Sequence, residues 1–462
     1  MIVNIHMMVH RLKKKNLTRQ IMKYINKIQN PISNVSKEKL DELFCLLAKK
    51  YSEKWLCTKE GNPLQTLWNR KDWISTIELF LLAASIDNLA KIDQNWTNNQ
   101  IQITKQDNEN TRKGAFFELI SLEGILNSGL PVKPAIRNQA GYDGLLKFKN
   151  NGEIILSIKN YNLSYHHRSF LERCGTFEKK ITNILKSKNI RNILVMIDIP
   201  QKYPSEADWK ELENFIAPIL SKYNGNLLPI ITKEGWTIFL KEMKDDKQLF
   251  DDKYNHSYTL IITSPYHKNE HENIYSKLQN ACSNLIKANI LENDKNLNCI
   301  LIHLPITVSV NKCIQWTNDY FKDYLNDPIS CVIYYQPAIA SDINKNTSYL
   351  NHCVGFAARN RYFDFSGKYG AINFQFPVGT HSHEPTSLLI TNGKGETLNI
   401  DERYIFQSGH HFYKMGIDKS GAFLGTMNNQ GSGIYNHLIC DVGDKIINLQ
   451  GIIPDTHDLL II

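Results

Sequence analysis

The sequence lacks the patterns that would identify a function most directly. It has nine cysteines without a CxxC pair, and an odd number of scattered cysteines favours free thiols in a reducing compartment over disulfides or a zinc site. It has no glycine-rich phosphate loop, so nucleotide hydrolysis has no support. The most apolar segment, residues 73–92, is interrupted by Glu78, Asp87 and Lys91, which makes its apolar run too short for a bilayer and predicts a buried helix.

The pattern of the first residues does not favour a secretory signal. The positive charge of residues 1–15 follows the apolar part instead of preceding it, and no small-residue cleavage site comes after it. We therefore expect a cytoplasmic protein with no membrane partner. Secretion as an effector and assembly into a homo-oligomer are both left open by the sequence.

The net charge of +8 is concentrated near the beginning of the chain. Residues 1–60 carry 13 Lys and Arg against 5 Asp and Glu, and the remaining residues are balanced. A basic arm of this kind contacts nucleic-acid phosphates without reading sequence, but a solvated lysine-rich segment has the same composition. The charge is therefore compatible with a nucleic-acid partner and does not require one.

Hydrophobic periodicity divides the chain into four regions. A hydrophobic fraction of 42% with 22% charged residues is ordinary for globular domains with real cores. Residues 1–95 predict a basic helical region, residues 110–245 an α/β core, residues 255–342 additional βα units, and residues 345–462 a β-rich domain. The expected fold class is therefore α/β, with a helical region before the core and a β-rich domain after it.

The elements of the α/β core are expected in the order α-β-β-β-α-β. The first helix, over residues 114–127, carries Glu118 within its apolar stripe, where a carboxylate is costly to bury without a metal, a proton or a partner. The second and third strands contain Asp143 and Lys159, which can reach the same point if these strands are neighbours. A second helix and an apolar strand over residues 193–197 complete the order.

These elements resemble the PD-(D/E)XK nuclease superfamily, the fold shared by many restriction and repair endonucleases. The resemblance covers residues 114–199 and rests on Glu118 in the first helix, Asp143 on the second strand and Lys159 at the end of the third. It implies a restriction-endonuclease-like αβββαβ core and an endonuclease that hydrolyses phosphodiester bonds with Mg²⁺ or Mn²⁺. On family grounds, DNA is the preferred nucleic-acid substrate.

One position departs from the family pattern. The family has Asp or Glu two residues before the lysine, and this chain has Ser157. A branch of restriction enzymes in the same family reads Ser-x-Lys and carries the acid on the next helix, and Glu172 lies thirteen residues after Lys159, as in that branch. Two alternatives stay open: Glu172 forms a capping box with Ser169, or catalysis was lost with the acid and the chain is a binding module for nucleic acid or protein.

In the catalytic interpretation, each residue of the resemblance has a task. Asp143 is the main metal ligand, and the backbone carbonyl of Ile158 supplies a further oxygen. Glu172 and Glu118 complete the coordination, while Lys159 positions the attacking water and offsets the developing negative charge. The ordinary alternatives are a turn for Asp143, an edge-strand lysine for Lys159, and, for Glu118, a position at the edge of the apolar stripe that reaches solvent or a lysine.

A basic segment follows the strand that contains Lys159. Between residues 160 and 191, seven basic residues accompany two acidic ones. We predict that His167, Arg168, Arg173 and Lys179 contact nucleic-acid phosphates, and the alternative is a solvated helix face.

A second group of histidines lies in the β-rich region. It consists of His381, His383, Glu384, His410 and His411. Two histidines spaced by one residue on a strand point to the same side and can bind a metal, as in cupin-like barrels. Such residues are also common in surface loops of β domains, so this group is the weaker candidate.

Overall fold

The computed structural model describes residues 35–58, 61–69, 73–135, 141–190, 193–223, 230–231, 235–242, 258–288, 295–342, 347–382, 387–391, 397–399, 402–409, 413–416, 424–429, 436–442, 445–451 and 459–461. The helices are α1 (Lys37–Tyr51), α2 (Glu53–Leu56), α3 (Pro63–Asn69), α4 (Trp73–Ile92), α5 (Gln94–Thr104), α6 (Glu109–Asn127), α7 (Tyr165–Ser187), α8 (Glu206–Ser221), α9 (Glu272–Lys287), α10 (Val310–Asp323) and α11 (Asn360–Tyr369). The strands are β1 (Val132–Pro134), β2 (Gly144–Lys147), β3 (Glu153–Asn160), β4 (Ile193–Asp198), β5 (Ile230–Ile231), β6 (Thr237–Glu242), β7 (Tyr258–Pro265), β8 (Asn296–His303), β9 (Cys331–Asp342), β10 (Thr347–Ala358), β11 (Thr380–Ser382), β12 (Ser387–Thr391), β13 (Thr397–Asn399), β14 (Arg403–Gly409), β15 (Tyr413–Gly416), β16 (Leu424–Asn429), β17 (Asn436–Val442) and β18 (Lys445–Gly451). The protein is therefore mixed α/β, as the periodicity predicts.

Helices α1 to α6 pack against one another around an apolar interior. Helix α1 begins after Ser36, whose side chain accepts a hydrogen bond from the Lys39 N–H at 3.2 Å. Leu40, Leu43 and Leu47 recur at helical spacing and are buried in this interior. The helical region predicted from the sequence is present over the part of it that the structure describes.

Helix α4 lies inside the molecule. Each of residues 74–86 is buried, as expected for a helix that is apolar on nearly every side. Within the described part of the chain, no single helix is long and apolar enough to cross a membrane. One pair of helical segments, α3 and residues 74–92, has the length and composition of a span when taken together, but the two are bent by 120° relative to each other.

The largest sheet among the described residues has seven strands in the order β1-β2-β3-β8-β9-β10-β11. Strands β1, β2 and β3 are antiparallel, whereas β3, β8 and β9 run parallel, so their carboxyl ends meet at one edge. The helices α1 to α6 cover one face, where Leu156 and Leu301 are buried. Helices α9 and α10 cover the other face, where Ile300 and Ile302 are buried. The sheet is thus covered on both sides, as parallel strands require.

The last strand expected in the nuclease-like core belongs to a different sheet. Strand β4 lies in a five-stranded sheet of order β14-β7-β4-β6-β5, where it is parallel to β7. Strand β8 occupies the place beside β3, with Ile300 opposite Ser157. The elements of the predicted αβββαβ core therefore do not form one sheet in chain order. The cause is that β4 and β8 are both apolar strands that follow a helix, so the sequence pattern permits either beside β3.

The predicted regions also do not correspond to separate sheets. Strands from the expected core (110–245) and from the expected βα units (255–342) share both sheets. In the expected β-rich domain (345–462), β10 and β11 complete the seven-stranded sheet and β14 pairs with β7. The remaining strands form a six-stranded sheet of order β13-β12-β15-β16-β17-β18.

Residues 459–461 lie in the interior beside α4 and the end of β8. The fully buried carboxylate of Glu78 accepts backbone hydrogen bonds from Leu460 N at 2.7 Å and Ile461 N at 2.9 Å. The carbonyl of Ile461 accepts a hydrogen bond from Nε2 of His303 at 2.6 Å. The end of the described chain is therefore tied to an early helix and to the central sheet.

Candidate functional site

The backbone of Asp143 is fixed between strands β1 and β3. Its N–H donates to the carbonyl of Leu156 at 2.8 Å, and its carbonyl accepts from the N–H of Ala135 at 3.0 Å. Asp143 directly precedes β2, whose first residue Gly144 is paired with Leu156. The residue is therefore held by the ladder and does not belong to an isolated turn.

The structure brings the carboxylate of Asp143 and the ammonium of Lys159 together. Oδ2 of Asp143 accepts a hydrogen bond from Ile158 N at 2.6 Å and one from Nζ of Lys159 at 3.2 Å. The same Nζ donates to the carbonyl of Ile158 at 3.1 Å. Both side chains are partly exposed, at 23% for Asp143 and 26% for Lys159, so this pair is accessible to a ligand.

The carboxylate of Asp143 also replaces a missing strand partner. Strand β2 and strand β3 pair only as far as Gly144 and Leu156, and the Ile158 N–H lies beyond that pair. The carboxylate satisfies this donor, which would otherwise be costly to leave unpaired. Strand β3 is paired with β8 along its length but with β2 only as far as Leu156, so its end at Lys159 is open on the β2 side and the edge-strand explanation of Lys159 stays an alternative.

A second lysine, which the sequence analysis missed, interacts with the charge of Lys159. Lys277, on α9, is close enough to Lys159 for their charges to interact, and burial together with the charge of Lys159 lowers the pKa of Lys277 to about 8. Its position 118 residues along the chain from Lys159, on another element, left no local pattern for sequence reasoning to detect.

Helix α9 also supports the loop that carries Asp143. Gly141 has a φ of +70°, and a Cβ placed there would lie 2.6 Å from Cβ of Ala288 and 2.8 Å from the carbonyl oxygen of Asn284. Only glycine combines this left-handed conformation with so close an approach. The loop before Asp143 is thus seated on the end of the helix that bears Lys277.

The position that holds an acid in the family pattern is a buried serine. Ser157 is 2% exposed and lies on β3, opposite Ile300 of β8. A serine cannot supply the negative charge of the missing carboxylate. Any second acid at this site must therefore come from another element.

Glu118, one predicted contributor, is engaged by an amide. It is 8% exposed on α6, and its Oε2 accepts a hydrogen bond from Nε2 of Gln100 at 2.8 Å. A partner for the buried carboxylate is what its place in the apolar stripe requires. That partner comes from α5, and the solvent-reaching alternative is wrong because the residue is buried.

Glu172, the predicted replacement acid, lies exposed on α7. The helix was expected to begin near Ser169 and instead begins at Tyr165, capped by Ser164, whose Oγ accepts from His167 N at 2.9 Å. The capping-box explanation is therefore wrong, because Glu172 lies in the third turn. Within the described residues, no group of three or more His, Cys, Asp or Glu side chains is placed to hold a metal ion. Glu172, Glu118 and Asp143 accordingly do not converge.

The residues predicted to contact phosphates occupy different environments. His167 is 4% exposed, and burial lowers its pKa to about 4, so it is a neutral interior residue and cannot contact a phosphate. Nε of Arg173 donates to Oε1 of Glu206 at 2.7 Å. Arg168 and Lys179 are exposed. The prediction that all four residues contact phosphates is therefore wrong for His167. Arg168 and Lys179 are available to solvent.

The histidine group of the β-rich region is only partly described. His381 lies in β11 and its ring stacks on Phe376 at 5.9 Å. His383, Glu384, His410 and His411 lie outside the described residues.

The carboxylate of Asp143 keeps one oxygen open to a further ligand. Oδ2 is occupied by two hydrogen-bond donors, whereas Oδ1 has no hydrogen-bond partner within the described residues. Mg²⁺ is commonly held by one or two carboxylates, with substrate phosphates and water completing its shell. Asp143 Oδ1 and the carbonyl of Ile158, which shares the Lys159 ammonium with Asp143 Oδ2, are oxygens of the kind that such a shell takes.

Comparison with known proteins gives no family for the chain. No family model matches the sequence, and no curated protein matches it. The functional assignment therefore depends on the residues of the site.

Proposed function

We propose that the chain is a metal-dependent endonuclease that hydrolyses phosphodiester bonds of nucleic acid, with DNA as the preferred substrate. The observation that supports the proposal is the contact of Lys159 Nζ with Asp143 Oδ2 at 3.2 Å on adjoining strands, beside the carbonyl of Ile158. A carboxylate, a backbone carbonyl and a lysine together are the groups that phosphodiester cleavage requires from a protein.

The chain's own residues divide the work as follows. Asp143 and the Ile158 carbonyl hold Mg²⁺ or Mn²⁺, which supplies activation of water and of a phosphate oxygen when bound. Lys159 can turn its ammonium from Asp143 towards a phosphate oxygen, where it offsets negative charge as the bond breaks. Lys277, on α9, is close enough to Lys159 for their charges to interact.

The proposal is tested by cleavage of plasmid and linear DNA with Mg²⁺ or Mn²⁺. We expect Asp143→Ala to abolish cleavage, and Lys159→Ala to lower the rate by about 10²-fold or more, as for loss of one charge-stabilising donor. Lys147→Ala is the matched control, because Lys147 lies on β2 and pairs with Glu153 at 3.0 Å, away from Asp143. Unchanged cleavage in both Asp143→Ala and Lys159→Ala would sink the assignment.

A second candidate is a nuclease-like module that binds nucleic acid or a protein without cleaving it. Two observations favour it: Ser157 stands where the family has an acid, and Glu118, Glu172 and Asp143 do not form one group that could hold a metal ion. The two candidates are distinguished by titrating Mn²⁺ in the presence of nucleic acid. Nucleic-acid affinity without metal uptake or cleavage supports the binding module, whereas metal uptake that Asp143→Ala removes supports the enzyme.

The same titration tests whether the acid has moved to α7. Since Glu172 is exposed in the third turn of α7, we expect Glu172→Ala to leave metal uptake and cleavage unchanged. Loss of both in Glu172→Ala would restore the relocated-acid interpretation.

A further inference from the structure

Four rings form a cluster beyond the end of β3. The ring cluster consists of Tyr165, His166, Tyr203 and His267. The imidazoles of His166 and His267 are stacked with centroids 3.6 Å apart, and Tyr203 meets His267 edge-on at 5.1 Å. Tyr165 meets His166 edge-on at 5.5 Å and is 73% exposed. The cluster thus has three half-buried rings in contact with one another and an outer ring that faces solvent.

The ring cluster lies where ligands commonly bind in α/β proteins. Tyr203 follows β4 and His267 follows β7, and these two strands are parallel, so both residues lie at the same edge of the five-stranded sheet. Tyr165 and His166 begin α7, which follows the carboxyl end of β3 and Lys159. The carboxyl ends of parallel strands are the usual place for a bound ligand.

A buried carboxylate fixes the cluster to the strand that carries Lys159. Glu270 is 2% exposed and accepts hydrogen bonds from Tyr161 Oη at 2.9 Å, from Ser164 Oγ at 2.6 Å and from the hydroxyl of Tyr404. Tyr161 and Ser164 lie between Lys159 and the cluster, so the connecting loop is anchored at both ends. The outer ring is therefore presented on a preorganised support.

Exposed cations stand within two residues of three rings of the cluster in sequence. Arg168, Lys202 and Lys268 are all exposed. Lys202 lies 3.9 Å from Asp208, whereas Arg168 has no side-chain partner within the described residues. Aromatic rings with free basic groups around them are the composition of single-stranded nucleic-acid sites, because every base has a face that stacks and every nucleotide brings a phosphate.

We propose that the ring cluster stacks an unpaired nucleobase, with Arg168 contacting the adjoining phosphate, so that the chain acts on single-stranded or locally unpaired nucleic acid. This inference rests on the proposed function, since it names the substrate class for the Asp143 and Lys159 site. It replaces the phosphate-binding face expected along α7 with base stacking at the first turn of that helix.

The test compares a labelled single-stranded DNA with an abasic strand of the same length, by fluorescence anisotropy without divalent metal. The full-length protein is expected to bind the base-containing strand more tightly. We expect Tyr165→Ala to weaken that binding about tenfold without affecting the abasic strand, and Tyr165→Phe to preserve it. Arg168→Ala is expected to weaken binding of both strands.

Phe363→Ala is the matched control, because Phe363 is a 54% exposed aromatic residue on α11, outside the ring cluster. Equal affinity of the unmodified protein for the two strands, or a Tyr165→Ala effect no larger than that of Phe363→Ala, would overturn the proposal; a surface for a protein partner gives this second result.

The binding test is independent of cleavage. Base-dependent binding that Tyr165→Ala removes, in a protein that never cleaves, supports the ring cluster and rejects the endonuclease. Cleavage that Asp143→Ala abolishes, with no difference between the two strands, supports the endonuclease and rejects the ring cluster.

Discussion

At the residue scale, buried histidines make the stability of this protein sensitive to acid. Burial lowers the pKa of His167 and His303 to about 4 and that of His352 to about 3. These rings are neutral in the folded protein, whereas the unfolded chain takes up a proton on each near pH 6.5. The stability they contribute is therefore fully present above pH 6.5 and is lost as the pH falls towards 4.

His167 offers a direct measurement of this effect. Its ring lies against Tyr404 with centroids 4.9 Å apart, so phenylalanine can occupy the same space without an ionisable group. Between pH 7 and pH 4, we expect the unfolding free energy of the unmodified protein to fall further than that of His167→Phe. The difference between the two decreases is expected to reach about 3 kcal/mol. Urea unfolding at several pH values measures the difference.

The measurement at pH 7 supplies the control for that experiment, because residue 167 is uncharged in both folded proteins there and the difference between them reports the change of ring alone. If the pH dependence is the same in His167→Phe and in the unmodified protein, His167 is not held neutral by burial, and its availability to a phosphate must be reconsidered.

At the element scale, local patterns predict helices and the antiparallel hairpin but not the partners of parallel strands. The spacing of Leu40, Leu43 and Leu47 is enough to place α1, because one face of a helix repeats within seven residues. The neighbours of β3 and β4 are decided by packing across distant parts of the chain. Two apolar strands that each follow a helix are equivalent in sequence, and β8 takes the place expected for β4.

The same distinction explains which parts of the site could be predicted. Asp143 and Lys159 lie on neighbouring strands of one hairpin, so their proximity follows from short-range pairing. The place of Glu118 in an apolar stripe correctly predicts that its carboxylate needs a partner. The sequence does not indicate that Gln100 is this partner. Glu172 has the spacing of the family branch, but its position on α7 depends on where that helix begins. The helix begins at Tyr165, which the sequence pattern does not predict. Lys277 approaches from an element with no sequence link to β3.

The seat of the Asp143 loop on α9 gives a prediction for one glycine. Gly141→Ala must leave the left-handed conformation or displace Ala288, so we expect it to lower the unfolding free energy by about 1–3 kcal/mol and to weaken cleavage or nucleic-acid binding with it. Gly175→Ala is the control, because a Cβ there meets nothing within 4 Å on helix α7, and it should stabilise by about 0.5–1 kcal/mol. Equal effects of the two substitutions on stability would show that the loop is not seated as described.

At the scale of the whole molecule, the beginning and end of the described chain share one interior. Residues 459–461 are buried beside α4, and they also reach His303, whose Nδ1 lies 2.9 Å from the Asn160 side chain next to Lys159. Glu78 is the central contact, since one carboxylate accepts from both Leu460 and Ile461. The helical region, the seven-stranded sheet and this last segment are therefore coupled through a few buried hydrogen bonds.

Glu78→Gln tests that coupling, because it replaces one carboxylate oxygen with an NH₂ group. The backbone N–H of Leu460 or Ile461 that donates to that oxygen would then face another donor. We expect a loss of about 2–3 kcal/mol of unfolding free energy and faster amide exchange at residues 459–461, since a buried backbone N–H loses its oxygen acceptor. Glu123→Gln is the matched control. Glu123 is equally buried on α6, and burial raises its pKa to about 7, so an amide in its place costs little and still accepts from Asn88. Equal losses for the two substitutions would mean that residues 459–461 contribute no specific stability. A loss confined to Glu78→Gln, with faster exchange at residues 459–461, shows that these residues stabilise the contact between α4 and the edge of the sheet that carries Lys159.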